Sequence, residues 1–230
     1  MRILVTGGTG DIGYQICCEL LKEHTLIIIG NSNYERLSKF DNKNNILDII
    51  KLDVSNPLET INKLTDIDVD IFIHAVGISY YGLLQDMSIE DWNKVINTNL
   101  SSAFYISKCV IPAMIRKKFG KIIFLSSVWG KVGASCEVAY SASKGGLDSF
   151  TKALAKELAP SNISVNSLNL GFVDTKMNNN LSLEEKNVLF SEIPFSRPTT
   201  PVECAIFIKK IIEMPNYFTA QNINFDGGWQ

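Results

Sequence analysis

The amino-acid sequence predicts a doubly wound α/β fold, a sheet of about seven parallel strands with helices on both faces. Three observations predict it. Short apolar, β-branched runs alternate with helical patterns along the whole chain. Several of those runs are apolar at consecutive positions rather than at every second one, as strands covered on both faces must be. The first run leads directly into a glycine-rich turn and then a helical pattern, the start of a βαβ unit.

Taken in order, strands are expected at residues 3–6, 26–29, 46–52, 69–75, 121–126, 163–170 and 222–225. A first helix is expected over about residues 12–22. A long one follows at about 88–117, with Ser88 and Asp91 as an S-x-x-D start signal and Pro112 bending its later part. The strongest helical pattern is 142–159, where Leu147, Phe150, Leu154 and Leu158 keep three-and-four spacing and Pro160 marks the stop. Residues 172–201 read as a long connection with one short helix at about 183–190 and a polar run, Asn178-Asn179-Asn180. Alternation continues into the last ten residues, so a single domain, 1–230, is expected.

Composition narrows the function. The chain has 230 residues, 46% of them hydrophobic, with 22 Lys and Arg against 24 Asp and Glu for a formal charge of −2. That balance lacks the basic excess that nucleic-acid or anionic-membrane binding requires, so neither partner is expected. Two histidines, His24 and His74, rule out a multi-histidine metal site. Five cysteines without a C-x-x-C pair read as free thiols in a reducing cytoplasm. No apolar run approaches the 18 or so residues of a membrane span.

Two constellations carry chemistry. Gly7-Gly8-Thr9-Gly10-Asp11-Ile12-Gly13 sits between strand and helix. Glycine there turns the backbone sharply and admits a pyrophosphate to the helix N-terminus, where free N–H groups and the dipole favour an anion. Dinucleotide binding is expected at Gly7, Thr9, Gly10, Asp11, Ile12 and Gly13; no Lys-Ser/Thr follows, which disfavours a P-loop. The second is Tyr140-Ser141-Ala142-Ser143-Lys144, whose spacing of four puts Tyr140 and Lys144 on one helical face. A phenol titrates near 10, so acid–base work at neutral pH calls for a nearby cation such as Lys144. Thirteen residues before Tyr140, a strand ends at Ser127, and strand ends face the ligand crevice.

Gly7 to Gly13, Asn99, Ser127, Tyr140 and Lys144, in this order and spacing, resemble the short-chain dehydrogenase/reductase family in its single-domain branch. The likeness covers nearly the whole chain, including the tail 220–229 and Asn97-Thr98-Asn99-Leu100-Ser101-Ser102. It implies a single-domain Rossmann-type enzyme that moves a hydride between a nicotinamide and a carbonyl or secondary alcohol. It further implies that Tyr140 donates the proton to the carbonyl oxygen, Ser127 hydrogen-bonds that oxygen, Lys144 binds the nicotinamide ribose while lowering the tyrosine pKa, and Asn99 supports a proton relay. Asp53-Val54 resembles the adenine-contacting pair, with a cap for the helix near Leu58 as its alternative. Tyr140 itself, Asn31 and Ser32, Ala75, Gly77, Gly171 and Val173 are the remaining implied cofactor contacts, and 172–200 the substrate loop.

The chain departs from the pattern at several points. Its G-x-x-G-x-x-G spacing resembles the extended branch of the family, though 230 residues leave little room for that branch's second domain. Asp11 is awkward beside a pyrophosphate unless its side chain points to solvent. His74-Ala75-Val76-Gly77 replaces a segment with two side-chain amides, which makes His74 structural, and Leu170-Gly171 replaces Pro-Gly. Gly30-Asn31-Ser32-Asn33 offers no acid for the NAD ribose, which favours NADP, with NAD open; Arg36 is in reach of a 2′-phosphate or is simply a solvated helix residue. The whole-chain look is most like 3-oxoacyl-(acyl carrier protein) reductases, with Arg116-Lys117-Lys118 as the segment to hold an acidic carrier, although Ser161 stands where an arginine is common. A sugar or polyol substrate is the alternative, suggested by Glu137 and Asn178 to Asn180; a non-catalytic dinucleotide-binding scaffold is the other. A homotetramer or homodimer is expected, with Phe104, Phe150 and Trp229 as interface candidates.

Overall fold

The computed structural model describes residues 1–40, 45–178 and 181–230. Seven parallel strands, β1 (Arg2–Thr6), β2 (Thr25–Gly30), β3 (Ile46–Lys51), β4 (Ile71–His74), β5 (Gly120–Ser127), β6 (Ile163–Leu170) and β7 (Asn222–Phe225), form one sheet in the order β3-β2-β1-β4-β5-β6-β7. Chain direction reverses its march at β1, so the crevice above the ends of β1 and β4 is where a ligand belongs in such a sheet. All seven expected strands are present within a few residues.

The consecutive apolar runs have the reason the sequence suggested. Alternate residues of one strand feed two separate cores. Ile3, Val5, Ile71, Ile73, Ile123 and Leu125 pack with Ile16, Cys17 and Leu20 of α1 (Asp11–Leu20) and Cys204, Ile208 and Ile211 of α8 (Pro201–Glu213). Leu4, Phe72, Ile122 and Phe124 pack on the opposite face with Ile106, Val110 and Met114 of α4 (Ser102–Lys117) and Leu147, Leu154 and Leu158 of α6 (Val138–Leu158). Each such side chain contributes roughly 1.5–3 kcal/mol by leaving water.

Two helices differ from expectation. The single helix expected at 88–117 is α3 (Ile89–Ile96), a π-helical turn Asn97–Ser101 and α4. Ser88 caps α3 by accepting from the Asp91 N–H at 3.0 Å, as its signal implied. The break falls at the π turn, fifteen residues or so before the suspected Pro112, which lies inside α4. The second difference is α6, which starts at Val138, four residues early, because Ser141 Oγ accepts the Ala134 N–H and closes the preceding turn. Tyr140 and Lys144 therefore lie in its first two turns. Elsewhere, α2 (Pro57–Leu64) is capped by Asn56, α5 (Trp129–Val132) is a single turn, and α7 (Leu183–Glu192) begins with a Ser182–Glu185 capping box. The five cysteines are free thiols. Among the described residues no helix is long and apolar enough to cross a membrane.

Candidate active site

A cleft of about 1970 Å³ opens above the carboxyl ends of the strands, well beyond the roughly 300–1,000 Å³ of ordinary small-ligand pockets and so sized for two ligands together. Its floor is the glycine-rich turn. Gly7 has φ +72°, and a Cβ there would meet the Ala75 carbonyl oxygen at 2.6 Å; a Cβ on Gly13 would lie 2.1 Å from the Gly7 oxygen. Both must be glycine. α1 starts at Gly10 with no side chain capping it, which leaves its first N–H groups free for an anion.

Asp11 does not point to solvent. Its Oδ1 accepts from Arg36 Nη1 at 2.7 Å and its Oδ2 from the Lys176 N–H at 2.9 Å, while Arg36 also donates to the Thr9 oxygen and lies 4.3 Å over the Tyr14 ring. Burial works to raise this carboxyl, yet the Lys176 N–H and the Arg36 guanidinium together hold it below the ordinary carboxylate range. The charge that looked awkward is thus neutralised in place, and Arg36 is not a solvated helix residue. Thr9, Gly10, Asp11, Ile12, Gly13, Ser32, Ala75, Gly77, Gly171 and Val173 line the cleft, as does Lys39.

Asn31, Asp53 and Val54 are not brought there. Asn31 is exposed; Val54 is buried in the core; Asp53 accepts from the Ser55 N–H and hydroxyl in an Asx turn, and Asn56 caps the helix instead.

On the other side, β5 ends at Ser127, and α6 carries Tyr140 and Lys144 toward it. Lys144 is buried, donates to the Leu125 carbonyl at 2.8 Å and has its ammonium 5.7 Å from the Tyr140 ring centre. The expected lowering of the tyrosine pKa is not what this geometry gives. Burial pushes the Tyr140 phenol up to about 12, with Glu137 adding to the rise and the Ser127 hydroxyl working against it. Lys144 itself is pushed down to about 8 by burial, because its charge faces a backbone carbonyl rather than bulk water.

Asn99, fully buried in the π turn, stands behind the cleft: its Oδ1 accepts from the Ile78 N–H and its Nδ2 donates to the Ile78 carbonyl and to Ser143 Oγ. His74 is structural, as expected. Ser102 donates to the Thr98 oxygen, so His74 Nε2–H is the donor to Ser102 while Nδ1 accepts from Thr6; the ring pins β1, β4 and α4 together. Burial, with Lys144 adding, lowers its pKa to about 3 and keeps it neutral.

The profile of short chain dehydrogenases matches residues 1–186. The chain belongs to that family. Relatives align over nearly the full length: the 3-oxoacyl-[acyl-carrier-protein] reductase FabG of Buchnera aphidicola is 41% identical, covering 98% of this chain and 95% of its own. The uncharacterized oxidoreductase YmfI of Bacillus subtilis is 36% identical, over 98% and 97%. A crystal structure of a candidate gluconate dehydrogenase from Agrobacterium tumefaciens superposes with a TM-score of 0.89 at 26% identity, over 99% and 95%.

Several cleft residues of this short-chain dehydrogenase escaped sequence reasoning. Trp229, expected at an interface, packs edge-on to Trp129 with ring centres 4.8 Å apart, and both line the cleft. Lys176, Thr175 and Tyr81 line it too. Thr175 and Lys176 fall within the loop expected for the substrate, but no local signal marks them individually, nor Tyr81 or the tryptophans, since only the return of the loop and the tail to the site brings them in. Asn178 lines the cleft, whereas Asn179 and Asn180 lie outside the described residues. The segment Arg116-Lys117-Lys118 ends α4 just before β5 begins, at the amino ends of the strands and so opposite the cleft, and Lys117 is paired with Asp68 and Asp70. It is not placed to hold a carrier protein at the site.

Proposed function

We propose that this chain, as one catalytic domain spanning 1–230 with a substrate loop around 172–200, is an NADP(H)-dependent ketoreductase of the 3-oxoacyl-thioester type. The observation that carries the reading is the convergence of Ser127, Tyr140 and Lys144 on a cleft floored by an uncapped, glycine-lined helix N-terminus. The likeness to a 3-oxoacyl-[acyl-carrier-protein] reductase supports the substrate class.

The residues of the cleft fit a nicotinamide dinucleotide, which when bound would supply the hydride to the carbonyl carbon. Asp11, Ile12 and Gly13 offer N–H groups to its pyrophosphate, while the Gly10 N–H closes the turn on the Gly7 carbonyl at 2.9 Å. Tyr140, whose burial keeps it protonated at neutral pH, donates its phenolic proton to the substrate oxygen; Ser127 donates a hydrogen bond to the same oxygen and stabilises the charge that develops there. Lys144 binds the ribose of the nicotinamide and Asn99 supports the return of a proton to Tyr140. NADP is favoured over NAD because Gly30-Asn31-Ser32-Asn33 at the end of β2 offers no acid, and Arg36 and Lys39 line the same cleft as Ser32. The proposed compartment is the cytoplasm, consistent with five free thiols. The proposed assembly is a homotetramer or homodimer, supported by exposed Phe104 beside Phe150 in a shallow apolar groove between α4 and α6.

One observation favours a second reading. Glu137 lines the cleft near Tyr140, with its carboxyl raised by burial, and suits the hydroxyls of a sugar or polyol. The test is oxidation of NADPH and of NADH by the purified protein with acetoacetyl thioesters, acetoacetyl-carrier protein and a panel of keto-sugars. Turnover of the thioesters with NADPH is expected, weakened by Ser32→Asp, which puts a carboxylate in the cleft after β2. Turnover of the keto-sugars alone selects the second reading, and turnover of neither with either cofactor overturns both.

A further inference from the structure

Lys144 is a buried cation with no carboxylate among its hydrogen-bond partners. It is 3% exposed, and its one acceptor among the described residues is the uncharged Leu125 carbonyl. An ammonium held that way in a low-dielectric interior tends to lose its proton. One turn further along α6, on the same face, lies Asp148, also buried at 7% exposure. Its carboxylate is fixed by two donors from β6: Ser167 Oγ at 3.0 Å on Oδ1 and Asn169 Nδ2 at 2.8 Å on Oδ2. Ser167 in turn touches Asn222 of β7. Two donors fix the orientation of this buried carboxylate and leave it no freedom to turn away from the β5–β6 side of the helix.

The other ionisable groups around Lys144 do not supply the missing negative charge. Tyr140 and His74 are neutral at working pH. β6, β7 and the turn Asn97–Ser101 carry no ionisable residue, and β5 carries only Lys121, at its far end. On the flanking helices, Glu90 and Lys94 of α3 and Lys131 of α5 are exposed and Asp91 is half-buried but bonded to Ser88. Glu137 lies at the cleft, where it acts on Tyr140. Asp148 is the group whose charge opposes the desolvation of Lys144.

We propose that Asp148, clamped by Ser167 and Asn169, is a positioning residue: it is the counter-charge that keeps Lys144 an ammonium and so sets the alkaline limit of the site. The consequence for turnover rests on the ketoreductase reading above; the consequence for Lys144 does not. Asp148→Asn preserves size and the Asn169 contact while removing the charge, and Ser167→Ala disturbs the same cluster without removing it.

The experiment is an NMR titration of Lys144 in full-length protein carrying ¹³C at lysine Cε, assigned with Lys144→Arg. In Asp148→Asn the Lys144 midpoint is expected to fall by about half a pH unit or more. In Ser167→Ala it is expected to stay at the wild-type value, and in Asp148→Glu to return toward it. An unchanged midpoint in Asp148→Asn overturns the proposal, as does an equal fall in Ser167→Ala, which would make packing rather than charge the cause. If Asp148→Asn does not fold, Asp148→Ser takes its place with the same criteria. The alkaline limb of NADPH-dependent reduction is expected to move with the midpoint, costing roughly threefold in rate at pH 9. A midpoint that falls in a protein reducing no carbonyl rejects the ketoreductase reading and keeps this one.

Discussion

The two sides of the cleft are built differently. On the reaction side, Asn99, Ser127 and Lys144 are buried and hydrogen-bonded to backbone, Asn99 to the loop after β4, Ser127 to the first residue of α5 and Lys144 to β5. On the proposed nucleotide side, Asp11, Arg36 and Lys176 come from three separate segments and meet in one partly buried ion pair plus one N–H contact. A site that moves a proton needs fixed distances, so it sits on strand ends and a long helix. On the proposed nucleotide side a carboxylate in the glycine turn is balanced by an arginine 25 residues later.

The contrast can be broken from the reaction side first. Tyr140→Phe is expected to lower the rate of carbonyl reduction on the order of 10²–10⁴-fold while nucleotide affinity, read by fluorescence titration, stays within about twofold, since the hydroxyl acts on substrate. A parallel loss of affinity would mean that Tyr140 belongs to the nucleotide side.

Gly13→Ala comes next, because its Cβ would stand 2.1 Å from the Gly7 oxygen and backbone must shift to admit it. Loss of nucleotide binding is expected, with destabilisation of roughly 1–3 kcal/mol in urea.

His74 tests the frame common to both sides. Its pKa is lowered in the folded state to about 3 from an unfolded value of 6.5, so the unfolded chain binds the proton first as pH falls. Stability should be complete above pH 6.5 and decline between there and pH 3, by up to about 1.4 kcal/mol per pH unit. His74→Asn should remove that slope in denaturant melts at pH 4–7, and an unaltered slope would place the titration elsewhere.

The smallest effect is expected at Asp11→Asn. Removing a negative charge from the first turn of α1 should tighten NADPH binding a few-fold, while the weakened contact to the Lys176 N–H raises the proteolytic sensitivity of the connection at 172–200. Unchanged cleavage would mean that Lys176 is held by the rest of its loop.

Much of this arrangement was legible beforehand, and the misses are specific. The strands were readable because both faces are buried, which leaves an unbroken apolar run. The helix at 88–117 was readable as helix, but not its π turn, because Asn97–Ser101 is unremarkable in composition and the interruption is stabilised by Asn99 gripping Ile78, 21 residues away. The start of α6 was misplaced because its stop signal for the preceding turn is Ser141, a residue inside the helix itself. Asp53 was assigned by its place after β3, yet a serine two residues on satisfied it locally.

By itself the sequence determined the parallel α/β architecture, the glycine-rich turn with Gly13 against Gly7, and the Tyr140–Lys144 spacing, because each depends on residues within a turn or two of one another. Only the tertiary structure decided the state of the charges. Whether Asp11 is a hindrance or a neutralised anchor, whether Lys144 depresses Tyr140 or bonds to Leu125, and which carboxylate faces which cation all depend on groups brought together from distant segments. Electrostatic energy follows distance and burial through space, and sequence separation does not encode either.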